Sequence, residues 1–385
     1  MRKICVFTGT RAEYGILSGL MRKIKNNPDT ELQIVATNMH LSPEYGLTYK
    51  EIEADGFKID RKVEMLLSSD SPAGTVKSMG LGTIGFADAL QDLRPDMVVI
   101  LGDRYEMLAA AQAALIFQIP VAHLHGGEIT EGAYDDAIRH AITKLSSLHF
   151  TSTEEYRQNV IQMGEQPERV FNVGALGVDN IAKQAAMPLE ELERSLGIDL
   201  KGDYVVVTFH PVTTEPGEAG RQVKNLVEAL QEVVNRQKIL ITMPNSDADS
   251  RAIVEAWEKF AAGNPGRVFT FKSLGRTRFY SALKHARAMI GNSSSGLIEA
   301  PSFHIPTLNI GNRQKGRARG ESVVDCGTGV EEIRQGLARV LSAEMAETAR
   351  KAENPYQKAN TLGTIFDKIA NCPLEGLTIK HFHKK

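Results

Sequence analysis

Along most of the chain, short apolar runs rich in β-branched residues alternate with segments whose apolar residues recur every three to four positions. The runs at 3–8, 31–37, 97–101, 120–123, 148–151, 170–173, 204–209, 239–243, 268–271, 288–290 and 307–310 predict strands. Segments 12–25, 104–117, 219–235 and 276–285 predict amphipathic helices between them. Repeated strand–helix units imply α/β architecture with parallel sheets covered on both faces. The strands fall into two sets. The segment 187–203, with Pro188, Gly197 and Gly202 among charged residues, reads as a helix and linker between two Rossmann-like halves. The expected domains are 1–175 and 176–355. A final segment, 356–385, places a helix at 356–369 back across the first domain. The closing GLTIKHFHKK reads as a frayed terminus rather than a metal site.

Composition narrows the class. The chain has 385 residues, is 42% hydrophobic and 24% charged, and carries a formal net charge of -2. No basic field points to nucleic acid, and no apolar run is long enough for a membrane span. MRKICVFT fits a first buried strand better than a signal start. Cys5, Cys326 and Cys372 are too scattered for a metal or disulfide framework and read as reduced thiols, which makes the cytoplasm the expected location.

The candidate chemistry clusters where strands end. Asp103, Arg104 and Glu106 follow the run at 97–101, and His123, His125, Glu128, Asp135, Asp136, Arg139 and His140 follow the run at 120–123. In an open parallel sheet the carboxyl ends of strands line the ligand crevice, so acids and cations converge there. Asp135 or Asp136 either caps a helix, with Arg139 in a surface pair, or faces the crevice. His123, His125 and Glu128 lack the spacing of a zinc site, so no metal is expected. The first strand ends in Gly9-Thr10-Arg11, either a phosphate loop or a plain strand–helix turn.

The second half offers a better anion site. Gly291-Asn292-Ser293-Ser294-Ser295-Gly296 follows a strand and opens a helix expected to contain Glu299. Small residues allow close approach, and hydroxyls and amides can hold phosphate oxygens. His210, before Pro211, ends another strand and can touch a diphosphate or move a proton. Asn245 ends the next strand. Arg313 lies in NIGNRQKGRARG, which either closes over phosphate or is a surface loop.

GTRAEYG, HLSPEYGLTYKEIEADGF, GDRYE, HGGEITEGAYDDAIRHAITKLSSLHF, FHPVTTE, MPNSDADS, GNSSSGLIEA and NIGNRQKGR together span nearly the whole chain. With these motifs the chain resembles the hydrolysing UDP-sugar 2-epimerases of sialic acid-type biosynthesis. The resemblance implies two Rossmann-like domains facing a central cleft, as in B-type glycosyltransferases. It implies UDP held by Ser293, Ser294, Glu299 and the Leu274 backbone, with His210, Asn245, Arg313, Arg11 and Arg104 around the diphosphate. Asp103 and Asp135 match two family acids. A third family acid, in an H-x-E-G-G-E pattern, is His125 here; Glu128 serves instead, or His125 replaces it. The variant HLHGGEITEGAYDD is similar to the branch acting on 2,4-diacetamido-2,4,6-trideoxy sugars for legionaminic acid. No cofactor is implied, and a homodimer or homotetramer is. The rival readings are a non-hydrolysing 2-epimerase, a retaining glycosyltransferase and a non-catalytic nucleotide-sugar sensor.

Overall fold

The structure, a computed structural model, describes every residue except Asp70, Gln184, Ala185, Ser246, Ala248 and Lys385, and at Ala182 and Lys183 the backbone only. Two positions of the MPNSDADS stretch therefore lie outside the described residues. The chain divides into two compact units. The first comprises Met1–Ile129, Asp135–Asn180 and Tyr356–Lys385, and the second Thr130–Tyr134 and Ile181–Pro355.

The first unit holds β1 (Arg2–Thr8), β2 (Thr30–Thr37), β3 (Arg61–Val63), β4 (Met97–Leu101), β5 (Val121–Leu124), β6 (Leu148–Thr151) and β7 (Val170–Asn172). They form one parallel sheet in the order β3-β2-β1-β4-β5-β6-β7. Alternation along β1 sends Ile4 and Val6 into one apolar core and Cys5 and Phe7 into the other. Successive side chains of a strand point to opposite faces, so a strand buried on both faces must be apolar throughout.

The second unit holds β8 (Tyr204–Thr208), β9 (Lys238–Thr242), β10 (Val268–Phe271), β11 (Ala288–Gly291), β12 (Thr307–Ile310) and β13 (Val323–Cys326). Their order is β10-β9-β8-β11-β12-β13, again parallel. Val205 and Val207 of β8 pack with Trp257 on one face, while Tyr204 and Val206 pack on the other. In each unit the strand order reverses beside the first strand, between β1 and β4 and between β8 and β11. Such switch points leave a crevice at the carboxyl ends of the strands.

Four expectations need correction. The edge strands β3 and β13 are absent from the apolar pattern, because each is short and carries charged residues at a sheet edge. The last helix begins at Thr361, not 356: the Tyr356 carbonyl is taken by the Ala175 N–H at 2.9 Å, and Asn360 adopts left-handed φ 58°. The helix after GNSSSG spans only Ser295–Ile298, so Glu299 lies just beyond it, where Pro301 starts a tighter turn. The tail is anchored rather than frayed. Lys380 Nζ donates to the carbonyls of Lys144 (2.8 Å) and Ser146 (2.7 Å) and pairs with buried Glu165 at 2.7 Å. Among the described residues, no helix is long and apolar enough to cross a membrane.

Candidate active site

In the first unit the turns after β1, β4 and β5 carry the expected residues. Arg139, on the helix Asp135–Leu145, ties three of them together. Its Nη2 pairs with Asp103 Oδ2 in a very short contact, and its Nη1 donates to Asp136 Oδ1 (3.3 Å) and to the Glu128 carbonyl (2.8 Å). Arg139 is 1% exposed, so the expectation of a surface pair is wrong. A buried guanidinium needs its donors satisfied, and two carboxylates and a carbonyl do this. Asp136 also meets His140 Nε2 at 3.3 Å. Asp135 opens the same helix, where the free amides favour negative charge.

His125 follows β5 with left-handed φ 64°, uncommon for a residue with a side chain. Three contacts hold it there. Its N–H donates to the Phe150 carbonyl at 2.8 Å, Nδ1 meets Glu128 Oε1 at 3.0 Å, and Nε2 accepts from the Leu176 N–H at 3.4 Å. The Leu176 amide can only donate, so the ring proton belongs on Nδ1, facing Glu128. Glu128 is buried and also accepts from Ser152 Oγ at 2.7 Å. Both ring nitrogens of His125 are thus engaged, and the histidine orients Glu128.

Beneath these turns His123 lies buried between the Gly102 carbonyl (2.7 Å from Nε2) and Thr143 Oγ1 (3.2 Å from Nδ1). Burial lowers its pKa to about 3, although the Gly102 hydrogen bond opposes this. It is a neutral strut under the Asp103 turn rather than a ligand. Arg104 Nε donates to Glu106 Oε1 at 2.7 Å. Arg11 pairs with Glu51 at 2.6 Å. Among the described residues no group of three or more His, Cys, Asp or Glu is arranged to hold a metal ion.

The second unit gathers its residues around Asn292. This fully buried amide accepts from the His210 N–H at 2.7 Å and donates to the His210 carbonyl at 2.9 Å. The Asn292 carbonyl accepts from Arg313 Nη1 (3.2 Å) and Gln314 Nε2 (2.9 Å). The Asn245 N–H points at His210 Nδ1, 3.4 Å away. The ends of β8, β11 and β12 are therefore tied at Asn292, with β9 joined through His210, and Ser293 and Ser294 follow Asn292 directly. Gly291 permits this: its φ is 130°, and a methyl there would collide with the Thr208 carbonyl.

Leu274 and Glu299 are both near the helix Gly275–His285, Leu274 as its cap and Glu299 through its charge on Tyr280. Leu274 is buried at the start of the helix Gly275–His285, its carbonyl accepting from Arg278 Nε at 2.8 Å. Burial and then the nearby Glu299 charge raise the Tyr280 pKa on that helix.

Residues 130–134 pack within the second unit. The Tyr134 N–H donates to Thr213 Oγ1 (3.0 Å), Thr214 Oγ1 to the Gly132 carbonyl (2.9 Å), and Lys315 pairs with Glu131 at 2.9 Å.

Sequence reasoning passes over Asn292, Ser152 and Gln314 as site residues. Asn292 and Ser152 immediately follow the ends of β11 and β6, which is the signal that finds them.

Acids held at the strand ends of one unit and a small-residue, hydroxyl-bearing turn in the other suit nucleotide-sugar chemistry. The sequence model of the family described as UDP-N-acetylglucosamine 2-epimerase matches residues 22–370. The chain belongs to that family. Among its relatives, the GDP/UDP-N,N'-diacetylbacillosamine 2-epimerase (hydrolyzing) of Campylobacter jejuni is 42% identical over 90% of this chain and 89% of its own length. The polysialic acid biosynthesis protein P7 of Escherichia coli is 38% identical over 94% of this chain and 92% of its own. The fold is shared with the UDP-GlcNAc 2-epimerase of Methanocaldococcus jannaschii, solved with UDP-GlcNAc and UDP. Its TM-score is 0.79 at 20% identity, over 95% of this chain and 99% of that one.

Proposed function

We propose that this protein is a hydrolysing 2-epimerase of a UDP-2-acetamido sugar, with UDP-2,4-diacetamido-2,4,6-trideoxyglucose as the substrate. Its product is the free manno-configured sugar, a precursor of nonulosonic acids. The observation that carries the reading is the 42% identity with a hydrolysing relative across 90% of the chain. We further infer a cytoplasmic homodimer or homotetramer; the three free thiols fit a reducing compartment.

The chemical problem is a carbon-2 proton with no neighbouring carbonyl to make it acidic. Loss of UDP solves it. As the C1–O bond to the diphosphate breaks, positive charge at C1 weakens the C2–H bond. A carboxylate takes that proton, the C–H electrons form a C1=C2 double bond, and UDP leaves with the C–O pair. Water then adds its oxygen to C1, and C2 receives a proton on the opposite face.

In this scheme Asp103 is the base, aimed by Arg139, and Asp135 returns the proton. Glu128, held by His125 and Ser152, orders the water. Preorganised donors stabilise charge that grows in the transition state without having to reorganise. Ser293, Ser294, His210 and Arg313 supply these donors for the departing diphosphate, with Asn245, Arg11 and Arg104. Leu274 and Glu299 would take the uracil and ribose.

The test is incubation with UDP-N-acetylglucosamine and with the diacetamido substrate, followed by NMR of the products. Free manno-configured diacetamido sugar plus UDP is expected. An epimer still attached to UDP would make the protein a non-hydrolysing enzyme, and tight binding without turnover would make it a sensor.

A further inference from the structure

Two carboxyl side chains lie buried beneath the turn that ends β1. Glu13 stands in the first turn of the helix Arg11–Asn26 and Glu106 in the first turn of the helix Tyr105–Ile116. These helices follow β1 and β4, the two strands at the switch point. Glu106 is fully buried and Glu13 is 6% exposed. Gly9 sits against both. Its N–H donates to Glu13 Oε2 at 2.7 Å, and a methyl on its Cα would run into Glu106 Oε1. Arg104 Nε holds that same Glu106 oxygen at 2.7 Å. The two remaining oxygens, Glu13 Oε1 and Glu106 Oε2, are buried without a hydrogen-bond partner.

We propose that Glu13 and Glu106 share one proton, and that the pair positions Arg104 and the Gly9–Arg11 turn for the diphosphate. The second half of this proposal rests on the epimerase reading. Two adjacent buried carboxylates cannot both ionise cheaply. A single O–H···O bond between the orphaned oxygens satisfies both and leaves one negative charge, which Arg104 balances. Burial, and next the charge of Glu106, raise the Glu13 pKa to about 8 against the opposing Gly9 hydrogen bond and Arg104 charge. An ordinary capping carboxylate at this helical position is exposed and ionised.

Arg104 faces the pair from the turn after β4, and Arg11, two residues before Glu13 on the same helix, is paired with Glu51. His40 approaches from the turn Asn38–Leu41, where its N–H donates to the Gly9 carbonyl at 3.3 Å. Burial lowers the His40 pKa to about 3, so this histidine is neutral wherever Glu13 titrates. When Glu13 ionises, two negative charges face each other under Gly9, and Arg104 and the Gly9 turn lose their aim.

Infrared spectroscopy of the ligand-free wild-type protein, labelled with 13C-glutamate, tests the pair itself. A protonated glutamate carbonyl band is expected at neutral pH, fading as pH rises through about 8. Its absence at neutral pH overturns the shared proton. The pH profile of kcat/KM for UDP release tests the positioning role. Wild type should fall about tenfold per pH unit beyond the ionisation, and Glu13→Gln, which keeps the Gly9 hydrogen bond but cannot ionise, should lack that limb. The same limb in both proteins overturns the role. A titrating band with no UDP release from either sugar would sink the epimerase reading and leave the shared proton standing.

Discussion

The two units build their sites from different materials. The first uses charged side chains and their partners: Arg139 between Asp103 and Asp136, Arg104 on Glu106, and His125 hydrogen-bonded to Glu128. The second uses a neutral amide. Asn292 ties His210, Arg313 and Gln314 together, leaving hydroxyls and small residues at the turn. The division matches the chemistry. Moving a proton requires acids whose ionisation is tuned by neighbours, whereas holding a diphosphate requires fixed hydrogen-bond donors aimed at its oxygens. In the first unit, burial and neighbouring charges displace the pKa values of Glu13, His40, His123, His149 and Glu165.

The largest effects should come from breaking the first unit's acids. Asp103→Asn should lower turnover by about 10²–10⁴-fold, the usual worth of a general base, while calorimetry shows UDP binding retained. Equal loss of binding and turnover would mean that the two units do not divide the work. In the second unit the opposite split is expected. Asn292→Ala removes a two-way bond to the His210 backbone and strands both of its partners at a cost of about 1–3 kcal/mol. KM should rise roughly tenfold, and kcat should change less.

Acid should separate the units next. His40 and His123 have folded pKa values lowered from 6.5 to about 3. A depressed folded value means that the neutral form is stabilising. That stability is present above the unfolded pKa and lost as pH falls from 6.5 toward 3, by about 1.4 kcal/mol per pH unit for each histidine. Hydrogen exchange in this window should show β1 and β5 losing protection before β8 and β11, and simultaneous loss would contradict the contrast. Glu13 acts in the reverse sense. Its raised pKa makes its contribution complete below 4.5 and lost as pH climbs through about 8. The smallest effect belongs to Lys315→Ala. Its pair with Glu131 is largely exposed, 65% and 52% for the two side chains, so thermal melting should register under about 1 kcal/mol.

What the chain discloses of itself follows burial. The central strands are legible because burial on both faces demands unbroken apolar runs, as in MVVIL of β4. The edge strands β3 and β13 escape because charges interrupt them, Arg61 and Lys62 in one and Asp325 in the other, whereas the edge strands β7 and β10 carry none. The strand-end clusters around Asp103 and His210 are legible from their place after such runs. Arg139 is not, because its spacing from Asp136 is that of a surface helix pair, and only the fold brings Asp103 against it. Asn292 is masked by serines that look more reactive. Lys380, in a basic tail, gives no hint that it neutralises Glu165, whose pKa burial would raise but whose hydrogen bonds from His149, Lys144 and Lys380 hold at about 2.

The central claim is that carbon-2 loses its proton as UDP departs. Running the reaction in deuterated water and reading the released sugar by NMR tests it directly. One deuterium at carbon-2 of a free manno-configured product is the predicted result. A released sugar that keeps its original hydrogen at carbon-2 would contradict the account.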